Sequence, residues 1–228
     1  VDAFNTLIQH IDEKPMLLTV WGADIKLDDI DGWNIVNKLN IKIAKQLGLD
    51  YLTIKTNFRT FINYSTLSSH VSKYISGEWW HEFQHGIGLI GLTAPLAYIN
   101  KFSIVYIASS YTAKDKGNYT CASDPTIDNY LKFSNCNVIH DGYNFDRQDK
   151  IHNICKYVSE NNEKIVLRVC WESTGGKNCC QCEKCYRTIL GILTEKKNPV
   201  DFGFDLDAKK RKIMMKKLPQ YVKYNLNQ

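Results

Sequence analysis

Four cysteines near the end of the chain have the spacing of a metal site. Eight residues separate the first from the second, and two residues separate each later pair; the four are Cys170, Cys179, Cys182 and Cys185. Two intervening residues let a tight turn deliver two sulfurs to one ion, and the Gly175-Gly176 loop can bring Cys170 back to the same point. Four thiolates leave no open coordination position. The spacing therefore predicts a structural zinc site, and the alternative is four unrelated buried cysteines.

A fifth cysteine, Cys180, follows Cys179 directly and could compete as a ligand. Its side chain should point away from that of Cys179, so we leave it out of the predicted site. Clustered cysteines are typical of a reducing compartment with metal rather than of a disulfide framework. The sequence has no run of eighteen apolar residues, and its first residues lack a basic stretch followed by an apolar one. We therefore expect a cytoplasmic protein without a membrane span.

Strand-like and helix-like segments alternate along the chain, which predicts an α/β fold. We expect a doubly wound, mostly parallel sheet covered by helices on both faces. Residues 110–135 read as a long loop. The predicted strands are Met16–Trp21, Tyr51–Thr56, Phe102–Ala108, Asn137–His140 and Lys164–Val169. The first predicted helix follows Asp2, and the second runs from Asp31 to Leu47, with Gly48 as its stop. The third covers Trp79–Ile99, with a kink or split at Pro95, and the fourth covers Arg147–Ser159.

Polar residues follow several of these strands, where the ligands of parallel sheets bind. Asp24 follows the first strand, Ser109 and Ser110 follow the third, and His140-Asp141-Gly142 ends the fourth. Each could contact a ligand, and each could equally be a turn or capping residue. We expect His140 to act as a catalytic base, although an aspartate next to it in sequence rarely faces it.

Two short segments resemble one enzyme family. Val1-Asp2-Ala3, at the start of the first helix, resembles the end of the Ser-Gly-Gly-x-Asp-Ser/Ala loop of the PP-loop ATP pyrophosphatases. The cysteine spacing, followed by Arg187, is similar to that of the cyanodeazaguanine synthases of queuosine-precursor biosynthesis. The order of elements agrees over most of residues 1–195. Because no strand precedes the first helix, we expect the first strand and the Ser-Gly-Gly turn to be missing upstream.

The resemblance implies an adenine nucleotide alpha hydrolase-like fold and an AMP-forming ligase that uses ATP, Mg²⁺ and zinc. It implies that Asp2 places Mg²⁺ or phosphate and that the amides of Val1 and Ala3 hold pyrophosphate. Asp24, Ser109 and Ser110 are expected at the nucleotide. Residues 1–169 would form the nucleotide-binding domain and residues 170–228 the zinc-binding segment with C-terminal helices. The substrate is not implied, because residues 79–130 show no match to the family's substrate-binding segments.

Three other functions remain open. The net charge is +5, and much of it comes from Lys209–Lys212 and Lys216-Lys217. These basic residues indicate either a solvated helix face or a zinc-stabilised module that binds nucleotide or RNA without turnover. Sulfur transfer to tRNA would require a catalytic Cys121 or Cys136. A zinc protease would use His81-Glu82-x-x-His85, but a third ligand is lacking. The expected partners are a small-molecule or nucleoside-like substrate, RNA as an alternative, and a second copy in a homodimer.

Overall fold

The computed structural model describes residues 1–74, 77–117, 121–170 and 175–225, with the side chains of residues 218 and 220–225 left out. This α/β chain divides into two compact units. The cysteine unit comprises Val1, Lys14–Thr53 and Gln148–Gln228. The parallel-strand unit comprises Asp2–Glu13 and Ile54–Arg147. The boundaries of these compact units differ from those of the predicted nucleotide-binding domain, residues 1–169, and zinc-binding segment, residues 170–228. That functional division stays a prediction.

The cysteine unit is mainly helical around a two-stranded sheet. Strand β1 (Leu17–Trp21) pairs with β2 (Tyr51–Lys55), whose last two residues belong to the other unit, and α2 (Ile30–Leu47) packs on β1. Helices α7 (Arg147–Glu160), α8 (Glu183–Thr194) and α9 (Ala208–Asn225) complete the unit, with Arg147 itself assigned to the parallel-strand unit. Apolar side chains of α7, of α8 and of the segment before Cys170 are buried; they are Ile151, Ile154, Ile165, Leu167, Ile189 and Ile192.

The parallel-strand unit is built on a three-stranded mixed sheet. Strand β3 (Ile104–Ala108) runs parallel to β5 (Cys136–Asp141), with Ala108 opposite Asp141, and the short β4 (Lys132–Phe133) is antiparallel to β5. Helix α1 (Asp2–Gln9) and α4 (His85–Gly91) pack on β3, and α6 (Pro125–Asp128) packs on β5. The unit also contains α3 (Tyr64–Val71) and α5 (Ala94–Asn100).

Local sequence signals fixed several elements as predicted. Helix α2 begins after Asp29, whose carboxylate accepts a hydrogen bond from the amide of Gly32, and ends at Gly48 in the left-handed conformation with φ 65°. The long apolar stretch is split, as predicted at Pro95. A π-helical turn, Trp80–Gln84, leads into α4, and α5 begins one residue before Pro95, which lacks the amide that would continue the preceding helix.

Two predictions about the backbone are wrong. The segment Lys164–Val169 is not a strand: the amide of Leu167 donates to the carbonyl of Phe202, which lies in a 3₁₀ turn, Pro199–Phe202. Residues 110–135 are not one loop, because a 3₁₀ turn at Ala113–Asp115, α6 and β4 lie there, with residues 118–120 outside the described part. Among the described residues, no helix combines the length and the apolar character that crossing a bilayer requires.

Candidate functional site

The four predicted cysteines converge on one point in the cysteine unit. Their sulfur atoms all lie within 4.8 Å of one another, with Cys170 Sγ 3.8 Å from Cys182 Sγ and Cys179 Sγ 3.9 Å from Cys185 Sγ. Four sulfurs placed about 2.3 Å from a zinc ion at tetrahedral angles would be about 3.8 Å apart. The cluster therefore already has the dimensions of a zinc-thiolate cage, and its donor set fits that metal.

The turn between Cys179 and Cys182 orients the sulfurs by backbone hydrogen bonds. The amides of Gln181 and Cys182 each donate to Cys179 Sγ at 3.3 Å. This tight turn requires Cys180 to adopt the left-handed conformation, with φ 56°. Cys182 is the N-cap residue of α8, so Cys185 lies in the first turn of that helix. The positive end of the helix dipole therefore lies next to sulfurs that become negative when they bind a metal.

Burial favours the neutral thiols when no metal is bound. Burial raises the pKa of Cys182 to about 11 and also raises the pKa of Cys185. Both side chains are buried, as is that of Cys170. A zinc ion must therefore displace protons from these thiols, so metal binding should release protons and weaken as the pH falls.

Asn178 connects the cysteine cluster to the segments on either side of it. Its Oδ1 accepts hydrogen bonds from the amides of Val169 and Cys170, at 3.0 and 3.3 Å. Its Nδ2 donates to the carbonyls of Leu167 and Gly203, at 2.7 and 3.2 Å. The side chain of Asn178 thus makes hydrogen bonds to the backbone of the segment before Cys170 that a neighbouring strand would make in a sheet. Sequence reasoning missed this residue, and its only signal was a side-chain amide directly before the first close pair of cysteines.

Replacing Asn178 with alanine should weaken zinc binding by about 10–100-fold, because the backbone that carries Cys170 loses its partners. Competition with a chromophoric chelator measures the affinity. Asn161→Ala is the matched control, since Asn161 is exposed in the same unit and its side chain makes one hydrogen bond, to the carbonyl of Tyr157. Equal zinc affinity in the two variants would show that Asn178 does not support the site.

The other residues predicted around the cluster have simpler positions. Gly175 and Gly176, in left-handed conformations, lie against the first turn of α2, where the amide of Gly175 donates to Asp29 Oδ2 at 3.2 Å. A Cβ on Gly176 would come within 2.7 Å of the carbonyl oxygen of Gly32. The Cys180 thiol donates to the carbonyl of Asn178 rather than joining the cluster. Arg187 forms an ion pair with Glu183 on the surface of α8.

Helix α1 runs against the direction of the parallel strands in the second unit. Near its start, Asp2 Oδ2 lies 3.4 Å from Nη2 of Arg147, which follows the carboxyl end of β5. In its middle, Thr6 donates to Asp141 Oδ2 at 2.7 Å. Just after its end, the ring of His10 stacks on Tyr106, in the middle of β3. The N-terminus of α1 therefore lies at the carboxyl edge of the β3–β5 pair, where parallel sheets bind ligands.

The remaining predicted nucleotide contacts divide between the units. Ser109 and Ser110 follow β3 at this carboxyl edge, with the amide of Ser109 donating to the carbonyl of Asp141 at 2.8 Å. Ser109 is buried and its hydroxyl donates to the carbonyl of Tyr111, whereas Ser110 is exposed. Ala3 is exposed on α1. Val1 and the exposed Asp24 belong to the cysteine unit.

His140 and Asp141 point to different partners because successive residues of a strand face opposite sides. His140 Nδ1 lies 2.7 Å from Asp128 Oδ2, and these two side chains are 2% and 0% exposed. Asp141 instead lies 3.0 Å, through Oδ1, from Nε2 of His10. The catalytic role of His140 stays a prediction, and Asp141 is the member of the pair that faces α1.

His10 sits between two carboxylates, because its Nδ1 lies 2.8 Å from Glu13 Oε1. Partial burial lowers the pKa of His10, but the hydrogen bonds and charges of Asp141 and Glu13 outweigh it, so the pKa is raised. The charged imidazole therefore stabilises the fold fully below its unfolded pKa of about 6.5, and this contribution is lost as pH rises through the raised pKa.

His10→Gln should accordingly lower the urea midpoint more at pH 6 than at pH 9, by an amount equivalent to about 1 kcal/mol. Denaturation of both proteins at the two pH values, followed by near-ultraviolet signals, measures this difference. His152→Gln is the control, because His152 is mostly exposed beside Glu195. A difference that is constant or that grows with pH would contradict the assigned ion pair.

The residues of the protease and sulfur-transfer predictions lie in the parallel-strand unit. His85 Nδ1 lies 3.6 Å from Cys121 Sγ, and His81 faces the ring of Tyr111. Within residues 1–74, 77–117, 121–170 and 175–225, the four cysteines form the only group of three or more potential metal ligands. Burial, followed by nearby carboxylates, raises the pKa of Cys121, and Cys136 is buried at the amino end of β5.

Comparisons of the chain with protein-family models, with curated proteins and with solved structures found no match.

Proposed function

We propose that the protein is an ATP-dependent, AMP-forming enzyme of the PP-loop class, with a fold like the adenine nucleotide alpha hydrolases. The observation that carries this proposal is the position of α1, whose N-terminus lies at the carboxyl edge of the parallel β3–β5 pair. Amides at a helix N-terminus and the helix dipole favour phosphate at that place. Enzymes of that class have a doubly wound, mostly parallel sheet. The parallel β3–β5 pair is the part of such a sheet on which this proposal rests.

The charges at the start of α1 suit a nucleotide with its metal. The carboxylate of Asp2 would bind Mg²⁺, and the amides of Val1 and Ala3 would hold pyrophosphate. Arg147 Nη2, 3.4 Å from Asp2 Oδ2, can form paired hydrogen bonds with phosphate oxygens. Ser110, exposed at the end of β3, is available to the nucleotide at the same edge.

The reaction would take place in two steps. A carboxylate, amide or ring carbonyl oxygen of the substrate attacks the α-phosphorus of ATP, and the bond to pyrophosphate breaks. A nitrogen nucleophile then attacks the activated carbon and loses a proton. The bond between that carbon and the adenylated oxygen breaks, and AMP leaves carrying this oxygen. The zinc would brace the cysteine unit without taking part in either step, because four thiolates leave no coordination position for a substrate.

ATP labelled at the α-phosphate and incubated with the full-length protein and a panel of carboxylate, amide and cyclic acceptors tests the proposal. We expect labelled AMP, with pyrophosphate in equal amount. Labelled ADP as the sole product would refute this reaction class. Nucleotide binding without any turnover over the panel would instead favour the non-catalytic zinc-stabilised module.

Two other candidates predict different results in simple assays. Sulfur transfer to tRNA requires a reactive thiol, so either Cys121→Ser or Cys136→Ser would abolish it, whereas the AMP-forming reaction should survive both changes. A zinc protease would require a second zinc per chain that is lost in the His81→Ala/His85→Ala double variant. We expect one zinc per chain both before and after that change.

A further inference from the structure

The first half of α9 is the most cationic surface segment of the chain. Six of the ten residues from Ala208 to Lys217 are lysine or arginine, and none is acidic. Five of the six cations are exposed. Lys210 is half-buried, and its Nζ lies 2.8 Å from Asp205 Oδ2. The exposed five are Lys209, Arg211, Lys212, Lys216 and Lys217.

One side of α9 is buried within the cysteine unit, and the opposite side carries an exposed stripe of basic residues. Met214 is 2% exposed and anchors the buried side. Lys209, Lys212 and Lys216 are three and four residues apart, so they line up on one face, separated along the axis by about 4.5 and 6 Å. Within the described part of the chain, no ion pair engages these three side chains, and the nearby exposed carboxylate of Asp207 precedes the helix.

A depression beside the stripe adds an apolar floor to the cationic rim. Its volume is about 440 Å³. Leu206, Ala208 and the exposed Met215 provide apolar surface, and Arg211 and Lys212 provide the charged groups. An unstacked base can lie on such a floor, or on the plane of a guanidinium group, while its phosphate meets the cations.

We infer that this face of α9 binds single-stranded RNA through its phosphate backbone. The axial spacing of the stripe is comparable with the distance between neighbouring phosphates of an extended strand, and RNA loops are where unstacked bases occur. Duplex DNA fits less well, because the bases of a duplex are stacked on one another and cannot lie on the apolar surface of the depression. A membrane surface also fits less well, because Met215 is the one large apolar side chain exposed on α9 among the side chains described, and interfacial helices need an apolar face.

This surface does not depend on the proposed reaction, and the experiment needs no turnover. Fluorescence anisotropy with a labelled, unstructured 20-nucleotide RNA measures binding to the full chain over a salt series. We expect Lys209→Gln/Lys212→Gln/Lys216→Gln to weaken binding by at least about tenfold at low salt. The slope of log K against log salt should fall by about 2, because each lost phosphate contact on a single strand is worth about 0.7.

A matched control exists on α2, where Lys38, Lys42 and Lys45 are exposed at similar spacing in the same unit. Their replacement by glutamine removes the same charge and should weaken binding by less than about twofold. Arg211→Ala should weaken binding by itself. Zinc content and melting temperature confirm that each variant is folded. Equal loss in the two triple variants, equal affinity for single-stranded DNA of the same sequence, or tighter binding to anionic phospholipid vesicles would each overturn the assignment.

Discussion

Cys182→Ser is expected to abolish stoichiometric zinc binding and to lower the melting temperature of the protein by about 10–20 °C. Structural zinc sites supply a large part of the folding free energy of the segments that they hold together, and about 5 kcal/mol corresponds to a shift of this size in a chain of this length. Cys182 is central to the cluster, since its sulfur is one of the four that converge and its amide donates to Cys179 Sγ. Elemental analysis and calorimetry measure the two effects.

The neighbouring Cys180→Ser is the control for this experiment. Cys180 is also buried, but its thiol donates to the carbonyl of Asn178 and lies outside the cluster. This variant should keep one zinc per chain and lose stability only modestly. If Cys180→Ser lost the metal and Cys182→Ser kept it, the assignment of the four ligands would be wrong.

Arg147→Gln should reduce the rate of AMP formation by about 10²–10³, because the proposed site would lose a charged donor to the phosphates. Arg147 is placed by α7, which begins at this residue, and its guanidinium lies beside Asp2. Arg147→Lys should retain part of the rate, since lysine keeps the charge without the paired donors. Single-turnover formation of labelled AMP measures the effect.

Arg59→Gln gives the matched control, because Arg59 lies in the same unit with its guanidinium 3.9 Å from the centre of the Trp80 ring. Its loss should change the rate by less than about threefold. A wild-type rate in Arg147→Gln would contradict the placement of the phosphates at the start of α1.

The parts of the structure that the sequence predicted are those determined by neighbouring residues. The four cysteines lie within sixteen residues of sequence, and one tight turn joins Cys179 to Cys182, so their spacing alone indicated the cluster. Helix α2 was predicted because its helical repeat of apolar residues and the glycine that ends it, Gly48, lie within the segment itself. Even there, the capping carboxylate is Asp29, two residues before the predicted start.

The parts that the sequence did not predict depend on distant partners. Ile165 and Leu167 are buried as in a strand, but alternation of burial does not reveal which backbone will supply hydrogen bonds. Here Phe202 and the side chain of Asn178 supply them. The pairing of Asp141 with His10 joins residues 131 positions apart. The alternation of side chains along β5 was the available signal that His140 and Asp141 would face different partners.

The central claim, that the N-terminus of α1 holds the phosphates of ATP, is tested most directly by nuclear magnetic resonance. Pyrophosphate with Mg²⁺ would be titrated into ¹⁵N-labelled full-length protein while the amide signals are followed. We predict the largest shifts at the amides of Val1 and Ala3 and at the guanidinium of Arg147. Shifts confined to the basic face of α9, with the start of α1 unchanged, would contradict the claim.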